Sequence, residues 1–253
     1  MCLLGQNSQN SILEHDVNSD RTIQLKDAHV NYGSRHVLLH CSLEVHPGEL
    51  VALVGHNGAG KTTLLRAISG LVSLAGGSLT MEGQDLRSFS AAHRARLGLG
   101  MVPDAGRGAV FGPLTVKENL RIAQDLSTGG IDVSYDAVKG LFPPLFEHLN
   151  NSAGDLSGGE RQMLAIAMSL LREPRFLLLD EPSVGLAPLR VTDAMNALRN
   201  IVSTFGIGVL LVEQNVQAAL RVADRIVVIK SGQIIREFAP HEIGNIHELW
   251  ELF

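Results

Sequence analysis

Gly55-His56-Asn57-Gly58-Ala59-Gly60-Lys61-Thr62 has the spacing G-x-x-x-x-G-K-[ST], with Thr63 directly after it. Glycines at these points let a backbone wrap closely around phosphates. The loop N–H groups and the start of a following helix then offset the negative charge. Lys61 is the cation that such a loop sends to the β- and γ-phosphates, and the Thr62 hydroxyl is set to ligate Mg²⁺. The plain alternative is a chance glycine turn, so the pattern counts only between a strand and a helix. Both flanks are present: residues 49–54 read as strand and 61–71 as helix.

Phe176-Leu177-Leu178-Leu179-Asp180-Glu181 delivers two carboxylates at the end of an apolar strand, where ligands sit in open α/β sheets. Asp180 suits Mg²⁺, directly or through water. Glu181 suits the polarisation of a water attacking a γ-phosphate, because phosphoryl transfer is mostly positioning and charge neutralisation. Taken alone, Asp-Glu-Pro is also a common solvated acidic turn. Leu156-Ser157-Gly158-Gly159-Glu160 has a simple reading as a capping box, with Ser157 and Glu160 closing the start of a helix. Capping does not ask for glycines at the first two helical positions, where they lower helix propensity. Bare glycines there make sense if an anion must approach the backbone closely.

The elements that must hold these residues alternate. Residues 21–45 read as short strands with a tight turn at Asn31-Tyr32-Gly33-Ser34, and 77–86 as strand and turn around Glu82-Gly83. From about 87 to 160 the pattern becomes helical, with helices expected over 91–97, 115–126 and 135–148. The alternation then resumes with a helix at 157–171 and a strand at 176–179. A helix at 189–205 follows, with Val191, Met195, Leu198, Val202 and Phe205 on one stripe. A strand at 207–212, a helix at 215–223 and strands at 225–229 and 233–237 complete the chain. Such order predicts an α/β fold with a largely parallel sheet and an inserted helical subdomain.

Composition narrows the class. Hydrophobic residues are 45% and charged residues 19% of the 253, enough for one sizeable core with a subdomain. A net charge of −5 argues against a nucleic-acid partner, which calls for a basic patch. Cys2 and Cys41 make no disulfide framework, so a reducing compartment is expected. The longest apolar runs, 207–212 and 226–229, fall far short of the ~18 residues that span a bilayer and read as buried parallel strands. Residues 1–20 lack a secretory pattern and read as a frayed extension rich in Asn, Ser and Gln. Membrane association is therefore expected only through a partner. The histidines show no ligand spacing and read as surface or loop residues.

Together, the glycine loop, LSGGE before an amphipathic helix, and LLLDEP resemble the hallmark set of ABC ATP-binding subunits over about residues 21–237. The resemblance implies a P-loop NTPase fold: a RecA-like core with an antiparallel β subdomain and an inserted helical subdomain at about 87–160. Residues 238–253 are left as a short helical tail, with Ile243, Ile246, Trp250 and Phe253 near one face. It also implies two subunits facing head to tail, with each ATP held between one chain's residues 55–63 and the other chain's Leu156, Ser157, Gly158, Gly159 and Glu160. By the same likeness Tyr32 stacks on adenine, with a plain turn tyrosine as the alternative, and loop 183–188 touches the facing subunit.

Three positions depart from most members. Ala187 stands for an aspartate, Asp104 for a glutamine that senses Mg²⁺, and Gln214 for a histidine that contacts the γ-phosphate. DEPSVGLAP, LLVEQN and LTVKENL look like the ATPase subunits of importers for branched-chain amino acids and their urea or amide relatives. Loop 104–109 is longer than in those subunits, and the tail after Gly232 is shorter. That likeness implies a non-identical partner ATPase, integral-membrane permeases docked near Phe111, Pro113 and Leu114, a solute-binding protein reached indirectly, and a peripheral place on the cytoplasmic face of the membrane. The competing expectations are a regulatory nucleotide binder with weak hydrolysis, suggested by Gln214 and Asp104, and an ABC-type protein acting on ribosomes or DNA. The second usually has two such domains or a long coiled coil in one chain.

Overall fold

The computed structural model describes residues 21–104, 108–186 and 188–243. The expected N-terminal extension, Ala187, and the tail positions Ile246, Trp250 and Phe253 lie outside the described residues. A six-stranded sheet has the order β10-β9-β3-β8-β7-β6 and a four-stranded sheet the order β2-β1-β4-β5. The second is built from β1 (Ile23–Tyr32), β2 (Arg35–Val45), β4 (Gly76–Met81) and β5 (Gln84–Asp85), all antiparallel. Its first hairpin turns at Gly33-Ser34, pairing Tyr32 with Arg35.

The larger sheet carries β3 (Leu50–Val54), β6 (Leu99–Val102), β7 (Phe176–Asp180), β8 (Gly208–Glu213), β9 (Arg225–Lys230) and β10 (Gln233–Phe238). Apart from antiparallel β10, its pairs are parallel. Every residue of β3, β7 and β8 is buried, which is why their sequences run apolar without alternation. Leu177 and Leu179 pack on one face in a cluster with Leu120, Leu164 and Leu198, while Phe176 and Leu178 pack on the other with Leu25, Leu43 and Leu79 of the antiparallel sheet. Each fully buried aliphatic side chain of this kind stabilises by about 1.5–3 kcal/mol.

The helices are α1 (Lys61–Ser69), α2 (Ala91–Arg96), α3 (Val116–Asp125), α4 (Tyr135–Leu141), α5 (Pro143–Glu147), α6 (Gly158–Leu171), α7 (Pro188–Phe205) and α8 (Val216–Val222). On α7, Met195, Leu198 and Val202 are buried, with Val191 and Phe205 partly so. Two expectations change. The single helix expected over 135–148 is two, because Phe142 leaves helical geometry (φ −130°, ψ 56°) ahead of Pro143-Pro144. A residue before proline is pushed out of the α region by the proline ring. The stretch 87–160 also contains β6, which pairs with β7 as the sheet's edge, so the helices that leave the core begin at Val116. Phe238 closes β10 and Pro240–Glu242 forms one 3₁₀ turn.

Candidate functional site

Parallel pairing aligns the ends of β3, β7 and β8: Val54 lies opposite Glu213 and Asp180 opposite Val212. Everything that leaves these strands at their C-terminal edge therefore converges. After β3 the glycine loop turns into α1. A Cβ on Gly55 would meet the Ile229 carbonyl at 2.3 Å, so only glycine fits there. Gly60 sits at φ 112°, which L side chains avoid, and begins α1 as its cap. Lys61 is 4% exposed and folds back over the loop, donating from Nζ to the Gly55 carbonyl (2.8 Å) and the His56 carbonyl (3.2 Å).

Tyr32, Asn57, Gly58, Gly60, Lys61, Thr62, Thr63 and Glu181 line one cavity of about 410 Å³ together with Arg35 and Val37. This volume suits a small-molecule ligand. Gly55 is buried behind the loop, and His56 and Ala59 line a smaller adjoining hollow of about 180 Å³. Tyr32 is exposed at the end of β1, with its ring on the cavity wall.

Two carboxylates close the inner side. Asp180 accepts a hydrogen bond from Thr62 Oγ1 (3.1 Å). Burial pushes its carboxyl above the ordinary range. The Thr62 hydrogen bond opposes that shift, and the charges of Glu181 and Asp104 add to it. Glu181 takes a left-handed backbone conformation (φ 47°), a costly one for a residue with a side chain. That turn sends its carboxylate between two partners: Oε1 lies 3.6 Å from Lys61 Nζ, and Oε2 accepts from Gln214 Nε2 at 2.7 Å. Glu181 thus bridges Lys61 and Gln214, although Gln214 is not on the cavity wall.

Glu213 had no assigned role in the sequence reading. It is 0% exposed. Its Oε1 accepts from Ser183 N (3.0 Å), and its Oε2 accepts from Ser183 Oγ (2.7 Å) and Asn215 N (3.4 Å). One buried carboxylate thereby ties the loop after Glu181 to the turn that carries Gln214. The available signal was a charged residue ending an otherwise apolar strand, GVLLVE.

Residues 156–160 do not line this cavity. The capping box is formed: Glu160 N donates to Ser157 Oγ (3.3 Å) and Ser157 N to Glu160 Oε2 (2.9 Å). Leu156 is buried beneath it. A second capping box, Thr115 with Glu118 at the start of α3, forms with Val116 and Lys117 in between. Capping therefore needs no glycine here. A Cβ on Gly159 would meet Leu186 Cδ2 at 3.1 Å, a partial reason for that glycine, but one on Gly158 would meet nothing within 4 Å. Among the described residues, nothing requires Gly158.

A further apolar hollow of about 400 Å³ lies between β6, α2, α3 and α6, with Leu71, Met101, Phe111, Leu126 and Met168 on its walls. Phe111 lines it, whereas Pro113 and Leu114 do not. Leu71, Phe111 and Leu126 are all exposed. Buried Asn119 sets Phe111 by taking its N–H on Oδ1 (2.8 Å) and donating Nδ2 to its carbonyl (3.0 Å).

The family model described as "ABC transporter" matches residues 38–184, over half of the chain. The chain is 42% identical over 205 residues to the high-affinity branched-chain amino acid transport ATP-binding protein BraG of Pseudomonas aeruginosa, covering 81% of this chain and 87% of that one. It is 34% identical to the probable branched-chain amino acid transport ATP-binding protein LivF of Archaeoglobus fulgidus, covering 91% and 96%. It is also 35% identical to the lipopolysaccharide export system ATP-binding protein LptB of Escherichia coli K12, covering 88% and 92%. A solved structure of an ATP binding subunit of an ABC transporter superposes with TM-score 0.73 at 28% identity, covering 91% and 93%.

Proposed function

The chain belongs to the ABC transporter family as an ATP-hydrolysing subunit, and from that premise we propose that it powers import of branched-chain amino acids or a related small polar solute. Such subunits act in pairs beside membrane permeases, and no helix among the described residues is long and apolar enough to cross a membrane. In this reading the chain sits on the cytoplasmic face of the membrane, bound through its permeases and paired with a similar, non-identical ATPase.

The observation that carries the paired site is the contrast between the two capping boxes, which leaves Gly158 without any use among the described residues. In the proposed assembly each ATP lies between one chain's residues 55–63 and the facing chain's residues 156–160, where a bare helix start meets phosphate oxygens. Lys61 exchanges its loop carbonyls for β- and γ-phosphate oxygens. Tyr32 offers its ring to the adenine. Glu181 orients the attacking water and is itself held by Gln214.

Thr62 Oγ1 and Asp180 Oδ1 are two oxygen donors in contact, the donor type that Mg²⁺ takes along with phosphate oxygens and water, so these residues fit the ion. Asp104, whose charge reaches Asp180, completes the acidic surround. When bound, the ion neutralises charge on the phosphates being separated.

Substrate class rests on the BraG and LivF likenesses and on LLVEQN and DEPSVGLAP. The test is complementation. In a strain lacking this protein, leucine uptake should be lost and then restored by the native chain, but not by Glu181→Gln. That variant should retain ATP binding and turn over about 10²–10⁴-fold more slowly. Normal leucine uptake in the deletion strain, or a defect in lipopolysaccharide export in its place, would overturn the solute assignment. Unchanged turnover by Glu181→Gln would remove the role given to that carboxylate.

A further inference from the structure

Asp27, His29 and His40 lie on the antiparallel sheet, and none of them lines the cavity around Lys61. Sequence spacing hides their convergence, because two β-bulges create it. Between the pairs Leu25↔Leu43 and Ala28↔Cys41, β1 advances by three residues and β2 by two. Between Lys26↔Ser78 and His29↔Gly76, β1 again advances one residue more than β4. The extra residue is Asp27, in left-handed conformation at φ 48°. Then, from Ala28↔Cys41 to Val30↔Leu38, β2 has the extra residue, and His40 stands there at φ 52°. Bulges of this kind re-aim side chains out of strand alternation.

Both bulges turn their side chains toward the same point. His40 Nδ1 lies 2.7 Å from Asp27 Oδ1, and His29 Nε2 lies 3.6 Å from that same oxygen. The two imidazoles meet edge to face with centroids 4.4 Å apart. One ligand atom from each residue falls within 4.8 Å of the others, and among the described residues no other group of three His, Cys, Asp or Glu does this.

The surround is built to match. Asp27 N donates to Ser42 Oγ (3.0 Å), and His29 O accepts from Ala75 N (2.7 Å). A Cβ on Gly77 would strike the Asp27 carbonyl at 2.3 Å, so the β1 bulge requires a glycine across the ladder.

We propose that Asp27, His29 and His40 form a surface site for one transition-metal dication of the Zn²⁺ type, fastening β1 to β2. Two imidazoles and a carboxylate suit Zn²⁺, Ni²⁺ or Cu²⁺, whereas Mg²⁺ and Ca²⁺ take oxygen ligands. Tetrahedral Zn²⁺ with bonds near 2.0–2.1 Å needs ligand atoms roughly 3.4 Å apart, and the two spacings to Asp27 Oδ1, 2.7 and 3.6 Å, lie on either side of that value. Asp27 and His40, the two bulge residues, face solvent, His29 is partly buried, and the remaining coordination position is left to water.

Untagged, EDTA-stripped full-length protein in buffer with excess Mg²⁺, which occupies oxygen-rich carboxylates, is titrated calorimetrically with Zn²⁺. One Zn²⁺ should bind through this site and raise the melting temperature. His40→Asn keeps a residue tolerant of left-handed backbone and should weaken this binding at least tenfold. Asp27→Asn should act likewise, and His36→Ala should match the native chain. Mg²⁺-dependent ATP hydrolysis by His40→Asn should stay at the native rate. Absence of Zn²⁺ binding, or equal affinity in the native chain and in both His40→Asn and Asp27→Asn, would overturn the site and leave a hydrogen-bonded His–Asp pair.

Discussion

Glu213 is where a single residue sets the geometry of the site. Its carboxylate is fully buried, yet three donors reach it, and through them Gln214 and loop 183–186 share one anchor. Glu213→Ala should strand Ser183 N–H and Oγ in the interior, at a cost of about 1–3 kcal/mol per unpaired group. Glu213→Gln keeps an acceptor for Ser183 N and should fold normally. Burial raises the Glu213 carboxyl above its ordinary 4.5. The folded chain then holds a proton that the unfolded chain has already released, so stability falls as pH rises from that ordinary value through the raised one, and it stays lowered above. Glu213→Gln removes this proton linkage. Denaturant midpoints of the variant should therefore decline less than those of the native chain over this interval, and identical slopes would remove the linkage.

At the scale of elements, the decisive one is α6, whose first turn is capped by Ser157 and Glu160 and left bare at Gly158. Gly158→Asp should leave folding and ATP binding by the isolated chain intact, since a Cβ there meets nothing within 4 Å. In the assembled pair the carboxylate would face phosphate, and hydrolysis should stop. Normal hydrolysis by that pair would refute the facing arrangement.

Strands β3, β7 and β8 were legible in the sequence because burial on both faces writes an unbroken apolar run, and the loops at their ends were legible because phosphate chemistry demands glycine, lysine and acid. Strand β6 was not. Its four residues include Gly100, where a Cβ would come within 2.8 Å of Ser169 Oγ on α6, so packing chose a poor strand former. The break at Phe142 needed the proline rule weighed above helical periodicity. The bulges at Asp27 and His40 depend on cross-strand register, which no local pattern records, and the two histidines therefore read as unrelated surface residues. Glu213 was visible as a letter, but its partner Ser183 lies thirty positions earlier and meets it only through the pairing of β7 with β8.

For the whole molecule, the apolar hollow lined by Phe111 lies between the edge strand β6 and helices α2, α3 and α6. Leu71 follows α1, which begins at the phosphate loop, while Leu126 ends α3 and Met168 lies on α6, which begins at Gly158. A partner seated there would touch, through Leu71 and Met168, the ends of the helices that begin at the two halves of the proposed ATP site. Three large apolar side chains exposed around one hollow suit a protein contact better than solvent, and Asn119 pins the Phe111 backbone on both its N–H and its carbonyl. If permeases dock here, Phe111 is an aromatic anchor, and truncating such anchors costs about 2 kcal/mol or more of binding. Phe111→Ala should therefore weaken co-purification with the membrane subunits roughly thirtyfold and depress solute uptake. Nucleotide binding by the isolated chain should be unchanged, because Phe111 does not line the cavity at Lys61. Native recovery of the membrane subunits with Phe111→Ala would place the docking surface elsewhere on the molecule.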